Sequence, residues 1–194
     1  MDKQKIFVIL GKSNTGKSTI FKKVMELIRF NNDDIELLKS CTTRPKREED
    51  KQDNEYDFVD KGYFTKLHKE DGLLEYSVYD TVYGYWFYFT RIADLKDKDY
   101  IKIINPSGLA QLRDSVKKMP YEVIAIEIIA DDEVRMERAL KRNDGTSIEE
   151  IERRFNADSR DFRYIKTEYK IENNGDKTPE ELAKEIYNII KKYK

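Results

Sequence analysis

The chain has 194 residues, enough for one well-filled core and short for two ordinary domains. Lys and Arg number 37 and Asp and Glu 38, and the net charge of -1 excludes a polycationic nucleic-acid binder or a polybasic membrane peptide as a reading of the whole chain, while local basic clusters remain open. Hydrophobic residues make up 39% and aromatic residues 12%, too much apolar material for a disordered solvating chain, so the sequence is expected to fold.

Elements alternate along the chain. Lys5 to Leu10 (KIFVIL) is a short apolar strand; after a Gly/Ser/Asn/Thr turn, Ile20, Val24, Leu27 and Ile28 repeat at helical spacing. Ile35 to Leu38, Tyr100 to Ile104 and Val123 to Ile129 read as further strands, each bounded by turn or charge signals. Helices are predicted over Leu109 to Lys118, Asp131 to Arg142, Ile148 to Phe162 and Leu182 to Tyr193. Thr178-Pro179-Glu180-Glu181 forms a capping box with proline at the first helical position, and Ser147 with Glu150 starts the preceding helix, whose buried stripe is expected at Ile148, Ile151, Phe155 and Phe162. Strands alternating with helices imply an α/β fold with a mostly parallel sheet covered on both faces.

Two regions break the alternation. Thr42 to Glu55 has no large apolar residue, and Tyr56 to Phe89 carries short strand-like pieces dense in Tyr and Phe, which together read as an inserted subdomain. Asp131 to Arg163 is helical but arginine-rich and reads as a second appendage. The longest apolar runs fall far short of the roughly eighteen residues that span a bilayer. With no signal-peptide pattern at Met1-Asp2-Lys3-Gln4 and a single cysteine, Cys41, the expected setting is the reducing cytoplasm, with no membrane and no nucleic acid as partner.

Chemistry enters at Gly11-Lys12-Ser13-Asn14-Thr15-Gly16-Lys17-Ser18, the P-loop spacing, placed after a buried strand and at the start of a helix. The glycines let the backbone curl with its N–H groups inward, and the helix turns its positive end to the phosphates. Lys17 is expected to reach the β- and γ-phosphates and Ser18 to offer its hydroxyl to Mg²⁺; Gly11, Ser13, Asn14, Thr15, Gly16 and Thr19 complete the nucleotide-binding stretch. Hydrolysis and transfer to a second substrate are both compatible with the loop. A polar insertion after the second strand suits transfer, because an acceptor needs its own subdomain.

Within that insertion Ser40-Cys41-Thr42-Thr43-Arg44, then Arg47, Tyr56-Asp57-Phe58-Val59, Leu74-Glu75 and Tyr83-Gly84 follow one another at spacings that resemble the guanylate kinase family. The similarity runs from the P-loop nearly to the C-terminus. It implies a parallel-sheet P-loop kinase core (about 1–39, 98–130 and 164–194), an inserted mixed acceptor-binding subdomain (about 40–97) and a helical lid (about 131–163). It also implies ATP and Mg²⁺ on the donor side and GMP or dGMP as acceptor, in a monomer or homodimer.

Residue by residue, the resemblance gives Arg44, Arg47, Tyr56 and Tyr83 the acceptor's monophosphate, which suits guanidinium forks and neutral phenolic donors. Glu75 stands beside apolar strand positions, a costly place for a carboxylate unless paired, and the resemblance pairs it with the donors of guanine, with Ser40 near the base's O6. Arg135, Arg138 and Arg142 share one helical face and so call for an anion opposite. The resemblance assigns Arg138, Arg142 and Arg154 to a lid over the donor phosphates and Asn173 to the adenine. The catalytic set is then Lys17, Arg44, Arg138, Arg142 and Arg154.

Three positions depart from the family pattern. Tyr85 stands where Ser or Thr usually touches the base and is expected to reshape the base pocket; Asn105, counted with the acceptor-binding residues, stands where acidic residues are usual; and Pro45 comes one residue early. Another phosphorylated acceptor, and a non-catalytic binding module of the same fold, remain as alternatives. Glu75 and Ser40 speak against an acceptor without a base, and the P-loop with Lys17 and Ser18 against loss of catalysis. His68 is read as surface, Trp86 as core and Cys41 as a small packed residue rather than a nucleophile.

Overall fold

A computed structural model describes residues 3–46, 56–81, 84–142 and 146–194. The predicted strand and helix positions hold within a few residues. Strands β1 (Gln4–Leu10), β2 (Ile35–Leu37), β7 (Asp99–Ile103), β8 (Tyr121–Ile129) and β9 (Tyr169–Glu172) form one sheet in the order β2-β7-β1-β8-β9, with β2 parallel to β7 and β8 parallel to β9. From Ile6 to Leu10 no residue reaches solvent, as a strand covered on both faces requires, and this explains why that stretch of sequence does not alternate. No helix is long and apolar enough to cross a membrane among the described residues.

The chain divides into two compact units. One comprises residues 7–34, 103–106 and 124–194. In it, helix α1 (Lys17–Phe30), with Ile20, Val24 and Ile28 buried, packs against α6 (Pro179–Lys191), which buries Leu182, Ala183, Ile186 and Ile190. Asp33 joins the two ends of this layer, accepting from Tyr187 Oη at 2.5 Å and lying 3.2 Å from Lys191 Nζ. Helices α4 (Asp132–Lys141) and α5 (Ile148–Asp161) belong to the same unit. Ser147 caps α5 as expected, but the predicted stripe is narrower than its spacing suggests: Ile151 is buried, whereas Ile148 is 63% exposed.

The other unit comprises residues 1–6, 35–102 and 107–123. Its own sheet has the order β4-β3-β6-β5, built from β3 (Ser40–Thr42), β4 (Tyr56–Phe58), β5 (Leu73–Thr81) and β6 (Gly84–Arg91). The β3-β4 pair is parallel and the β3-β6 and β5-β6 pairs antiparallel, so the inserted sheet is mixed.

The insertion also holds a helix that its aromatic, strand-like composition conceals, α2 (Lys61–Lys69), capped by Asp60 Oδ1 accepting from Tyr63 N at 2.7 Å. Phe64 is its one buried residue, too little to set up a helical period. Phe64, Cys41 and Phe89 make a small core, with Phe64 and Phe87 stacked at 4.2 Å between centroids. Trp86, expected in that core, is only half-buried. Helix α3 begins at Pro106, three residues before its apolar period, because proline fits a first helical turn; it runs to Ser115.

The capping box of α6 is complete: Thr178 Oγ1 accepts from Glu181 N at 3.2 Å and Glu181 Oε2 accepts from Thr178 N at 2.8 Å. Replacing Thr178 by Ala removes the first of these, and thermal unfolding should show a loss of about 1 kcal/mol, or about 2–4 °C in Tm.

Candidate active site

The P-loop closes between β1 and α1, where the backbone geometry admits few alternatives. Gly16 has φ +84°, and a Cβ there would lie 2.6 Å from Asn173 Nδ2; a Cβ at Gly11 would lie 2.5 Å from the Ile128 carbonyl oxygen. Asn14 also takes the left-handed region, at φ 61°, which Asn tolerates better than most residues. Thr15 is buried and donates from Oγ1 to the Lys12 carbonyl at 2.9 Å, bracing the turn from inside. Helix α1 then starts with no side-chain cap and no acidic residue in its first turn, so its N–H groups and positive dipole end are not satisfied by the helix's own side chains. Ser18 and Thr19 are exposed at that end.

Side chains from α4, from α5 and from Asn173, just after β9, hold this loop. Arg135 is completely buried: its Nε donates to the Ser13 carbonyl at 2.8 Å, its Nη1 meets Asp132 Oδ1 at 2.5 Å and its Nη2 pairs with Asp158 Oδ2. The same Asp158 oxygen accepts from Ser13 N at 2.8 Å, and Phe155 stacks under the guanidinium at 4.2 Å. The anion expected opposite the arginine face is therefore, for Arg135, supplied by the protein itself, and Phe155 joins the stripe through this contact. Arg138 reaches Asn14 O at 3.5 Å and Asn173 Oδ1 at 3.3 Å. Asn173 is not a surface turn residue: it is 8% exposed and donates from Nδ2 to Thr15 O at 2.8 Å.

Arg142 is exposed at the end of α4. Arg154 is turned to Glu150, with Nε 2.8 Å from Oε1; Arg153 and Arg154 together hold the Glu150 carboxyl down at about 2. Lys17 sits half-buried within this cluster. Burial lowers its ammonium below the usual lysine range, the charges of Arg135 and Arg142 push the same way, and Asp158 opposes them.

In the other unit, Arg44 is 7% exposed, donates from Nη1 to the Pro45 carbonyl at 3.0 Å and lies 5.9 Å from the Tyr56 ring and 5.4 Å from the Phe58 ring. A cavity of about 630 Å³ is lined by Arg44, Lys46, Phe58, Asp60 and Tyr63, among others, with Arg91. Arg91 is neutralised by Asp57 at 2.6 Å and Asp94 at 2.7 Å, while Arg44, Lys46 and Asp60 also line the cavity. Arg47 and Tyr83, also expected on the acceptor phosphate, lie outside the described residues. Ser40 and Tyr56 are register partners in the β3-β4 pair, so the proposed O6 contact and one proposed phosphate contact stand side by side.

Glu75 is buried, 5% exposed, and its partner within the protein is one that the sequence pattern does not reveal. Its Oε1 accepts from Lys102 Nζ at 2.9 Å and from Thr90 Oγ1 at 2.5 Å, and Lys102 also bonds Thr90. The signal was present: a lysine in the middle of Tyr100 to Ile104, an otherwise apolar strand, needs an anion as much as Glu75 needs a cation. Arg135 and Asp158 form the corresponding unread pair at the P-loop. Tyr85 is 55% exposed opposite Asp80, and Asn105 immediately precedes α3. Cys41 is buried, and burial raises its thiol to about 11, which fits a packed residue and no nucleophile.

No group of three or more His, Cys, Asp or Glu placed to hold a metal ion is found among the described residues. Mg²⁺ fits all the same, because it takes most of its oxygens from nucleotide phosphates and water and asks the protein for a hydroxyl such as that of Ser18.

A depressed ammonium loses its proton earlier than a solvated lysine, whose ordinary value is 10.5, so affinity for ATP should decline as pH rises toward that value rather than beyond it. KM for ATP measured from about pH 7 to about pH 10 should climb, and a flat profile contradicts the expectation that Lys17 meets the phosphates.

The model of the guanylate kinase family matches residues 3–193. A guanylate kinase of Clostridium tetani is 35% identical over 98% of this chain and 86% of its own length. One of Schizosaccharomyces pombe is 30% identical over 78% of this chain and 74% of its own, and one of Thermotoga maritima is 30% identical over 72% of this chain and 65% of its own. A crystal structure of guanylate kinase from Anaplasma phagocytophilum shares the fold, with a TM-score of 0.65 at 23% identity over 98% of this chain and 86% of that one. With a P-loop cradle and a family match over nearly its whole length, this chain belongs to the guanylate kinase family and has the fold of a nucleoside monophosphate kinase.

Proposed function

We propose that the protein transfers the terminal phosphoryl group of ATP to the phosphate of GMP or dGMP, giving ADP and the nucleoside diphosphate, as a cytoplasmic enzyme that is a monomer or homodimer. The observation that carries the acceptor half of this reading is the buried Glu75 carboxylate: with Oε1 taken by Lys102 and Thr90, Oε2 is left as an acceptor for the ring donors of guanine. Arg44, with Arg47, Tyr56 and Tyr83, would hold the acceptor's phosphate, and Ser40 would face O6. The division into a core (about 1–39, 98–130 and 164–194), an acceptor subdomain (about 40–97) and a lid (about 131–163) belongs to the same reading.

An acceptor phosphate is already an anion, so no general base is needed and the work is alignment and charge neutralisation. The P-loop amides and Lys17 take the β- and γ-phosphates. Arg138, which lies on the Asn14 carbonyl and Asn173, is placed to turn onto them, with Arg142 and Arg154 from the same unit. Mg²⁺, when bound, would be held by Ser18 and would neutralise charge on the donor phosphates. Closure of the lid over the donor phosphates would keep water from competing as acceptor.

Release of ADP from ATP and Mg²⁺ should be stimulated by GMP or dGMP and not by AMP, UMP or CMP, and Lys17→Ala should lower the rate by about 100-fold or more. Turnover with a base-free phosphorylated acceptor alone would give the site to that class, and no turnover with any acceptor would leave a binding module. Tyr85→Ser should lower KM for GMP; an unchanged value removes Tyr85 from the base pocket.

A further inference from the structure

Two adjacent side chains of β5, Leu74 and Glu75, are both buried, which a regular strand does not allow. A bulge between Leu73 and Glu75 makes it possible: Leu73 stands opposite Arg91 and Glu75 opposite Thr90, leaving Leu74 as the extra residue. The backbone on either side of Glu75 is pinned by α3. Ser115 Oγ donates to the Leu74 carbonyl at 2.8 Å, while the Gln111 amide accepts from Tyr76 N at 3.1 Å and donates to Tyr76 O at 2.9 Å. The carboxylate is pinned as firmly, through Oε1, by Lys102 of β7 and Thr90 of β6. Lys102 is the only charged group in hydrogen-bond or ion-pair contact with Glu75 among the described residues, and it is 1% exposed. Beyond it, β6 contributes a hydroxyl, and α3 the hydroxyl and amide that hold the backbone.

We infer that Lys102 is a specificity-determining positioning residue for the acceptor base: with Thr90 it fixes Oε1 of Glu75 so that Oε2 alone reads the donors of the base. A buried ion pair is weak evidence for stability, since an apolar pair of similar volume does about as well, so its presence in a substrate-binding unit is better explained by what it holds in place. An acceptor fixed in advance loses no conformational freedom when the base arrives.

The inference rests on the acceptor reading above, and the experiment separates the two. Glu75→Gln tests the reading: its KM for GMP should rise about tenfold or more, and an unchanged KM removes Glu75 from base recognition altogether. Lys102→Met tests the inference. Without the ammonium, Oε1 loses the group that holds it, so KM for GMP should rise by about tenfold or more, while kcat and KM for ATP move less than about twofold. A raised KM for GMP that moves together with kcat or with KM for ATP means that Lys102 only supports the fold and overturns the inference, as does an unchanged KM. Should Lys102→Met not fold, Thr90→Val decides: it keeps the ion pair and frees one side of Oε1, and KM for GMP should rise about threefold to tenfold with KM for ATP constant, an unchanged KM for GMP counting against the inference.

Discussion

Like charges crowded on one short loop are the constraint that the donor half of this structure has to meet. Lys17, Arg135 and Arg142 act on one another through a half-buried site, and Arg138 reaches the same loop. Such a cluster repels itself unless an anion is built in. Asp158 is that anion: one carboxylate oxygen accepts both the Ser13 amide and the Arg135 guanidinium, so a P-loop N–H and a cation are satisfied by the same atom. Because Arg135 in turn donates to the Ser13 carbonyl, both backbone polar groups of one P-loop residue are held by helices α4 and α5. The loop conformation and the placement of those helices are thus one structural problem with one solution.

The other unit meets the opposite constraint, a buried carboxylate that needs a cation. There the compensating charge comes from a strand rather than a helix, and it is a lysine, a compact ammonium whose three donors can be shared between Glu75 and Thr90. Nearby, Arg91 is consumed by Asp57 and Asp94, so not every cation around the acceptor cavity is available to a phosphate. Charge sorting of this kind is compatible with a net charge of -1 for the whole chain.

The frame of the fold was legible because its signals are local. Apolar runs of five or six residues, a Gly-rich turn between strand and helix, and a capping box at Thr178 each depend on residues close in sequence. What escaped depends on residues far apart. Lys102 and Glu75 are 27 positions apart and Arg135 and Asp158 are 23, and nothing in either neighbourhood names the partner. Helix α2 was hidden for a different reason: one buried residue, Phe64, leaves no apolar period to detect, and its start is marked only by Asp60. Ile148 shows the converse, an apolar residue at the right spacing that falls in the first turn of α5 and stays in solvent. The tyrosines and arginines expected on the acceptor phosphate come from the order of short motifs along the insertion, a pattern that composition and periodicity do not carry.

The bulge at Leu74 has a consequence for how substrate choice in such a site could change. Since Glu75 meets Thr90 only because one extra residue precedes it, sliding β5 by a single position against β6 would set Glu75 opposite Phe89 and withdraw its carboxylate from Lys102 without altering any residue type in the site. On the proposed reading, recognition of the base would be written in the length of a strand as much as in its composition.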